Sequence, residues 1–133
     1  CCWMMHVFRL TNGMDFKKEI VNYCKNNGIG AGYIVSAVGC CKEINFRLAG
    51  GEKFFHNVAD YEIVSAMGTI SEDGVHIHVS FSDIDGVTVG GHLSDGCIIN
   101  TTCEVVIGEI NNYKLTREFD DTTGYKELCI EKI

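Results

Sequence analysis

Two periodicities divide the chain. Phe16, Ile20, Tyr23 and Cys24 recur at helical spacing, with Lys17, Lys18, Asn22 and Lys25 facing away from them. This pattern predicts an amphipathic helix within DFKKEIVNYCKNNG. Asp15 suits its N-terminal end by side chain and charge, and Asn27-Gly28 is its stop. Most of the remainder has the period of two that marks strands. MHVFRL (Met5–Leu10) predicts a first strand, and TNG a turn after it. IGAGYIVSAVGCCKEINFRLAGG predicts one or two buried strands, with Gly30 and Gly32 placed to let backbones pass closely. YEIVSAMGTI (Tyr61–Ile70) and VHIHVSF are separated by an acidic turn with Gly74, so they form a hairpin. Val87–Val89 predicts a short returning strand followed by a bend at Gly90-Gly91. TTCEVVIGEI, YKLTREF and YKELCIEKI supply three late strands.

The sequence has 15 glycines and no proline, so its tight bends rely on Gly, Asn and Asp. No repeat, linker or low-complexity tract interrupts it. The fold class expected is α+β: one compact domain over residues 1–133, with its core within 5–131. It has a mainly antiparallel twisted sheet and one main amphipathic helix.

Composition narrows the class. A chain of 133 residues suits one domain, and buries roughly two thirds of its unfolded surface without help from metal or disulfide. Apolar residues make up 46% and charged residues 22%, which is a globular balance rather than a disordered one. No apolar run is long enough to span a membrane as a helix. The opening, Cys1–Leu10, carries His6 and Arg9 and lacks a basic leader, so it does not read as a signal peptide. Met4 and Met5 are the candidate natural starts.

Eight cysteines are present without a C-x-x-C pair. With no export signal, the expectation is reduced thiols in the cytoplasm, acting as small hydrophobes rather than nucleophiles. Charge is uneven. Residues 1–60 carry seven Lys/Arg against five Asp/Glu, and residues 61–133 carry four against thirteen, for a net −7. There is no basic stripe to neutralise phosphates, so composition disfavours a nucleic-acid partner. Lys17, Lys18 and Lys25 read as the wet face of the helix.

Chemistry concentrates in GVHIHVSFSDIDGVTVGGHLSDGC, which holds three of the five histidines. Val75, Ile77, Val79 and Phe81 share one strand face, and His76, His78, Ser80 and Ser82 share the other. Backbones two residues apart on a strand are separated by about 6.6 Å, from which two imidazoles can converge on one ion. The returning strand brings His92 toward the same edge. Three histidines with an open fourth position form a catalytic-zinc arrangement, which polarises a carbonyl or lowers the pKa of a water. The alternative is three histidines scattered over a solvated polar face.

Glu104 and Glu62, each isolated among apolar neighbours, are the candidate bases. Asp83 and Asp85 are candidates to orient a histidine from outside the ligand set. Arg47, closing an apolar segment, is the candidate for an anionic ligand or an interface. Arg117 and Glu118 are expected at a sheet surface or interface, and His6 and His56 as structural or exposed. GGEKFF and VGGH lack the phosphate-loop pattern, and no G-x-S-x-G elbow occurs.

Seven ordered segments carry a resemblance that covers nearly the whole chain. They are FRLTNGMDFKKEI, AGYIVSAVG, FRLAGG, YEIVSAMGTIS, HIHVSFSDIDGVTVGGHL, GCIINTTCEVVIGE and FDDTTGYKELCI. Together they resemble the plant and prokaryote conserved (PPC) domain family, formerly domain of unknown function 296. The resemblance implies a compact domain with an antiparallel sheet, assembled as a homotrimer. It implies a divalent-metal site, zinc in type, at His76, His78 and His92. It also implies that Arg47 lines the same pocket, and that Glu104 occupies a recurrent acidic position. Glu104 and Arg47 are therefore the candidate catalytic residues.

Plant members join this domain to AT-hooks, and prokaryotic members carry a DNA-binding label by similarity. No arginine-glycine-arginine hook occurs here, and three copies at −7 would carry −21. Repulsion from phosphate then opposes DNA association. Three functions stay in contention: a metal-binding protein with a small anionic ligand and an enzymatic role still open, a DNA-associated regulator, and an oligomerisation module without catalysis.

Overall fold

The computed structural model describes residues 4–133; Cys1 and Cys2 lie outside the described residues. In chain order the elements are β1 (Met5–Thr11), α1 (Phe16–Asn26), β2 (Ala31–Arg47), β3 (Phe54–Asn57) and β4 (Tyr61–Ser71). They continue as β5 (Gly74–Ser82), β6 (Thr88–Leu93), β7 (Ile98–Glu109), β8 (Tyr113–Asp120) and β9 (Tyr125–Lys132). The sheet is antiparallel throughout, with one helix, as α+β implies.

The helix forms where the pattern places it. Asp15 Oδ1 accepts from the Lys18 amide at 3.0 Å and Oδ2 from the Gly96 amide at 2.8 Å, so one carboxylate caps α1 and pins it to the turn before β7. Phe16, Ile20 and Cys24 are buried against the sheet. Gly28, at φ +66°, supplies the left-handed stop.

Seven strands make the main sheet in the order β1-β7-β2-β4-β5-β6, with β3 on the flank of β2. The segment read as one or two strands is a single strand of 17 residues. Register shifts against β7 at Ile34/Ser36, Gly39/Cys40 and Cys41/Glu43 bend it. The bend carries its last residues round to β6, where Phe46 faces Leu93 and Arg47 faces His92. Strands β2, β4, β5 and β6 therefore close on themselves. Inside the closure Phe46 stacks between Phe55 and Phe81, at ring-centre distances of 5.2 and 5.9 Å.

Two local expectations are corrected. Gly90-Gly91 is not a bend but lies within β6. A Cβ on Gly90 would stand 2.4 Å from the Val79 carbonyl oxygen, and one on Gly91 2.4 Å from that of Arg47. The bare backbone lets β6 fit between β5 and β2. The four-residue β3 was not anticipated; it exists by pairing with the end of β2.

Strands β8 and β9 form a separate hairpin. Backbone and side-chain bonds tie it to the β4–β5 turn: the Glu72 amide donates to the Leu115 carbonyl at 3.0 Å, and the Arg117 amide to Asp73 Oδ2 at 2.8 Å. Elsewhere His6 bridges Glu109 at 3.0 Å and Tyr23 at 3.2 Å, a structural tie between β1, β7 and α1. His56 Nε2 and Glu43 Oε2 are hydrogen-bonded at 2.7 Å.

The described cysteines are free, and four of the six are buried. Burial pushes the Cys24 and Cys97 thiols up to about 11 and the Cys103 thiol to about 12, and raises Cys41 further still. These are core groups, poor as nucleophiles.

Candidate metal centre

Register builds the histidine cluster. His76 and His78 leave β5 on the face away from the core, while Ile77 and Val79 between and beside them are buried. His92 stands directly opposite His78 across β5–β6, and opposite Arg47 across β6–β2. Ring centres are 5.0, 5.1 and 5.8 Å apart for His76–His78, His76–His92 and His78–His92. One ring nitrogen from each lies within 4.8 Å of the others. The two histidines of β5 are exposed, and His92 is half-buried beneath them.

The residues fit a divalent ion on three counts. The Nε2 atoms of His76 and His78 are 3.3 Å apart. Tetrahedral nitrogen ligands at 2.0–2.1 Å stand about 3.3–3.4 Å apart, so this one pair, which is also at hydrogen-bond distance, has a spacing compatible with a shared ion. His92 Nδ1 is buried and has no hydrogen-bond partner, an orphan that a ligand bond would satisfy. Finally, burial, followed by the Arg47 guanidinium, lowers the His92 pKa to about 4, and burial followed by His78 lowers that of His76. Neutral imidazole is the ligand form.

The His92 shift sets a pH dependence. Unfolded, this imidazole takes up a proton near pH 6.5; folded, it refuses it until about pH 4. Across that window the unfolded state binds more protons, so acidification destabilises the fold. We expect the urea midpoint of metal-stripped protein to fall between pH 6.5 and 4.5, and to fall less in His92→Gln. Parallel declines would remove His92 as the cause.

A cleft of about 370 Å³ opens beside the cluster, between His76 and His92 on one side and the β8–β9 hairpin on the other. Arg47 lines it, with its guanidinium carbon 5.6 Å from the centre of the Tyr125 ring. Such a distance gives a cation–π contact. Arg117 and Lys126 enter from the hairpin, and Asp73 and Glu127 are its acidic groups. Sequence reasoning assigned Arg117 only to a surface or interface and did not single out Lys126. They stand on a hairpin 25 to 50 residues along the chain from His92 and His76, and no local signal marks them.

The other candidates lie elsewhere. Glu104 is on β7, paired with Arg9 of β1 and Val38 of β2, so β2 and β4 separate its strand from β5. Glu62 lines a different cleft, with Asp60 and Asp83. Asp83 does not orient a histidine; its Oδ1 accepts from the Asp85 and Val87 amides, both at 2.9 Å, and caps their turn.

Known proteins share this architecture. The family model described as Plants and Prokaryotes Conserved (PCC) domain matches residues 3–111. Over 129 residues the chain is 37% identical to the Bifunctional protein GlmU of Synechococcus sp. (strain JA-3-3Ab), covering 97% of this chain and 21% of that protein. The chain thus spans about a fifth of the length of the curated relatives it matches. A solved hypothetical protein from Salmonella cholerae-suis superposes with a TM-score of 0.93 at 30% identity, covering 98% of this chain and 95% of its own. A metal-containing protein from Archaeoglobus fulgidus gives 0.77 at 27% identity, over 95% and 93%. A Bacteroides thetaiotaomicron protein provisionally named DNA-binding gives 0.84 at 20% identity, over 96% of each chain, a likeness of fold alone.

Proposed function

The chain belongs to the Plants and Prokaryotes Conserved (PCC) domain family, and from that premise we propose that it is a metal-binding homotrimer whose three-histidine centre serves a small-molecule cleft. The convergence of His76, His78 and His92 within 4.8 Å carries this reading. The ion proposed is divalent and zinc-like, since three neutral imidazoles suit zinc. The metal-containing Archaeoglobus neighbour lends support at the level of the fold and its metal. Bound there, the ion would supply Lewis acidity to a carbonyl or acidify a water. The protein's own part is to hold the imidazoles neutral, fix them by strand register and present Arg47 to the ligand. Of the proposed catalytic residues Glu104 and Arg47, Arg47 faces the cleft, whereas Glu104 stands two strands away on β7 and takes no part in this chain's own centre.

The assembly is supported by an uncovered sheet face. Val7, Val38, Val64 and Met67 are exposed by 72, 57, 57 and 66% on the side away from the core. Exposed apolar side chains gathered on one sheet favour an interaction surface. Met67 pairs with His78, so a neighbouring copy seated on this face would wall the open side of the histidine cluster. An assembly module alone gives the histidines no reason to converge, which favours the metal reading.

DNA binding draws no support from the surface, whose chain charge is −7. No helix of the described residues is long and apolar enough to cross a membrane. The cytoplasm is the proposed location, in keeping with described cysteines that are all free.

Elemental analysis of protein purified without an affinity tag tests the reading. We expect one divalent ion per chain, lost when His76, His78 and His92 are all replaced by alanine, and a light-scattering mass of three chains. Equal metal in wild type and variant rejects the ligand set, and a monomer rejects the assembly.

A further inference from the structure

The charges of the cleft are at odds with those of the chain. In a protein carrying 18 acidic groups against 11 basic ones, most cations should find a carboxylate. Yet the close contacts between basic side chains and carboxylates among the described residues are His6–Glu109 and His56–Glu43, and neither involves arginine or lysine. Three of these unneutralised cations, Arg47, Arg117 and Lys126, gather at one cleft. Asp73 and Glu127 also line it and offset two of the three charges, leaving an excess of one cation. The Asp73 carboxylate is engaged by the Arg117 backbone amide rather than by its guanidinium.

Both arginines are held in place by neutral contacts that leave donors free. Arg117 donates from Nη2 to Thr69 Oγ1 at 3.1 Å, on the β4 position that faces His76. Arg47 lies against the Tyr125 ring, and it stands opposite His92 in register. Gly51, at φ +74°, leaves room for this arrangement; a Cβ there would stand 2.7 Å from the Tyr125 hydroxyl. Each guanidinium thus flanks a different imidazole of the cluster. A guanidinium fork matches the paired oxygens of carboxylate and phosphate. The open cleft, about 370 Å³, lies at the small end of ligand sites.

We infer that the cleft between the β8–β9 hairpin and the histidine cluster is an oxyanion site, in which Arg47 and Arg117 grip a carboxylate or phosphate of a small metabolite beside the metal position. The inference rests on the metal-centre reading for the ligand's other end, but not for the grip itself. Arg117 and Lys126 both lie beyond residue 111, where the family match ends. The hairpin supplies two of the three cations, Arg117 and Lys126, that line the cleft.

Calorimetric titration with malonate, inorganic phosphate and, as a neutral control, glycerol decides the matter. It is run at fixed ionic strength on metal-loaded and metal-stripped protein. We expect one of the anions to bind and glycerol not to; malonate or phosphate as the tighter ligand identifies the headgroup. Arg47→Gln and Arg117→Gln should each weaken that binding at least tenfold with metal content unchanged. Arg117→Lys, which keeps charge without the fork, should recover part of it. Failure of both anions to bind wild type, or full affinity in both glutamine variants, overturns the inference. Anion binding that survives in a protein found to hold no metal sinks the metal reading and leaves this one standing.

Discussion

Replacing His92 by alanine is expected to lower zinc affinity by more than a hundredfold while barely changing the stability of the metal-free protein. The two halves of this result have one cause. His92 Nδ1 is buried without a hydrogen-bond partner. An unsatisfied buried polar atom costs roughly 1–3 kcal/mol, so its removal offsets the packing lost with the ring. In the loaded protein the same imidazole belongs to the proposed ligand set. Loss of a group that merely supports a ligand costs about 10–100-fold in affinity, and loss of a ligand exceeds that. A competition titration with a chromophoric chelator measures the first half and urea denaturation of stripped protein the second. Unchanged zinc affinity removes His92 from the site; a large loss of metal-free stability means that the imidazole is structural.

Gly91→Ala is expected to cost about 3 kcal/mol of stability, the upper part of the range for overpacking a filled site. A Cβ there meets the Arg47 carbonyl oxygen at 2.4 Å and Phe46 Cδ2 at 2.9 Å. Neither yields cheaply: one is backbone, and the other belongs to a ring stacked between two more. The alternative to strain is for β6 to part from β2, which also moves His92 away from Arg47. Zinc affinity should fall with stability in this variant, whereas His92→Ala separates the two. Denaturation midpoints and chelator competition on one preparation check both. A variant as stable as wild type would show that β6 does not need bare backbone at this position.

The sequence displays the parts of this molecule whose signals are local. The Asp15 cap, the helix face of Phe16, Ile20 and Cys24, and the alternation about His76 and His78 are visible because neighbours in the chain produce them. Hairpin β4–β5 is visible for the same reason. What stays hidden depends on distant partners. The 17-residue β2 breaks its own alternation at three register shifts, so its pattern leaves open one strand or two. Strand β3 has four residues and no pattern of its own. Gly90-Gly91 has the local chemistry of a bend, and is extended only because β5 and β2 crowd it from both sides. Arg117 and Lys126 look like the wet side of a hairpin until that hairpin folds across the sheet.

The closure of β2 onto β6 also bears on how the molecule reaches its shape. Arg47 and His92 are paired although β3, β4 and β5 intervene in the chain, and Arg117 lies later in the chain still. Such distant pairings make for slow folding, because the chain surrenders freedom before those contacts reward it. A ligand that grips only the finished arrangement has little to hold at the barrier. It lengthens the lifetime of the native form and does nothing to hasten its birth.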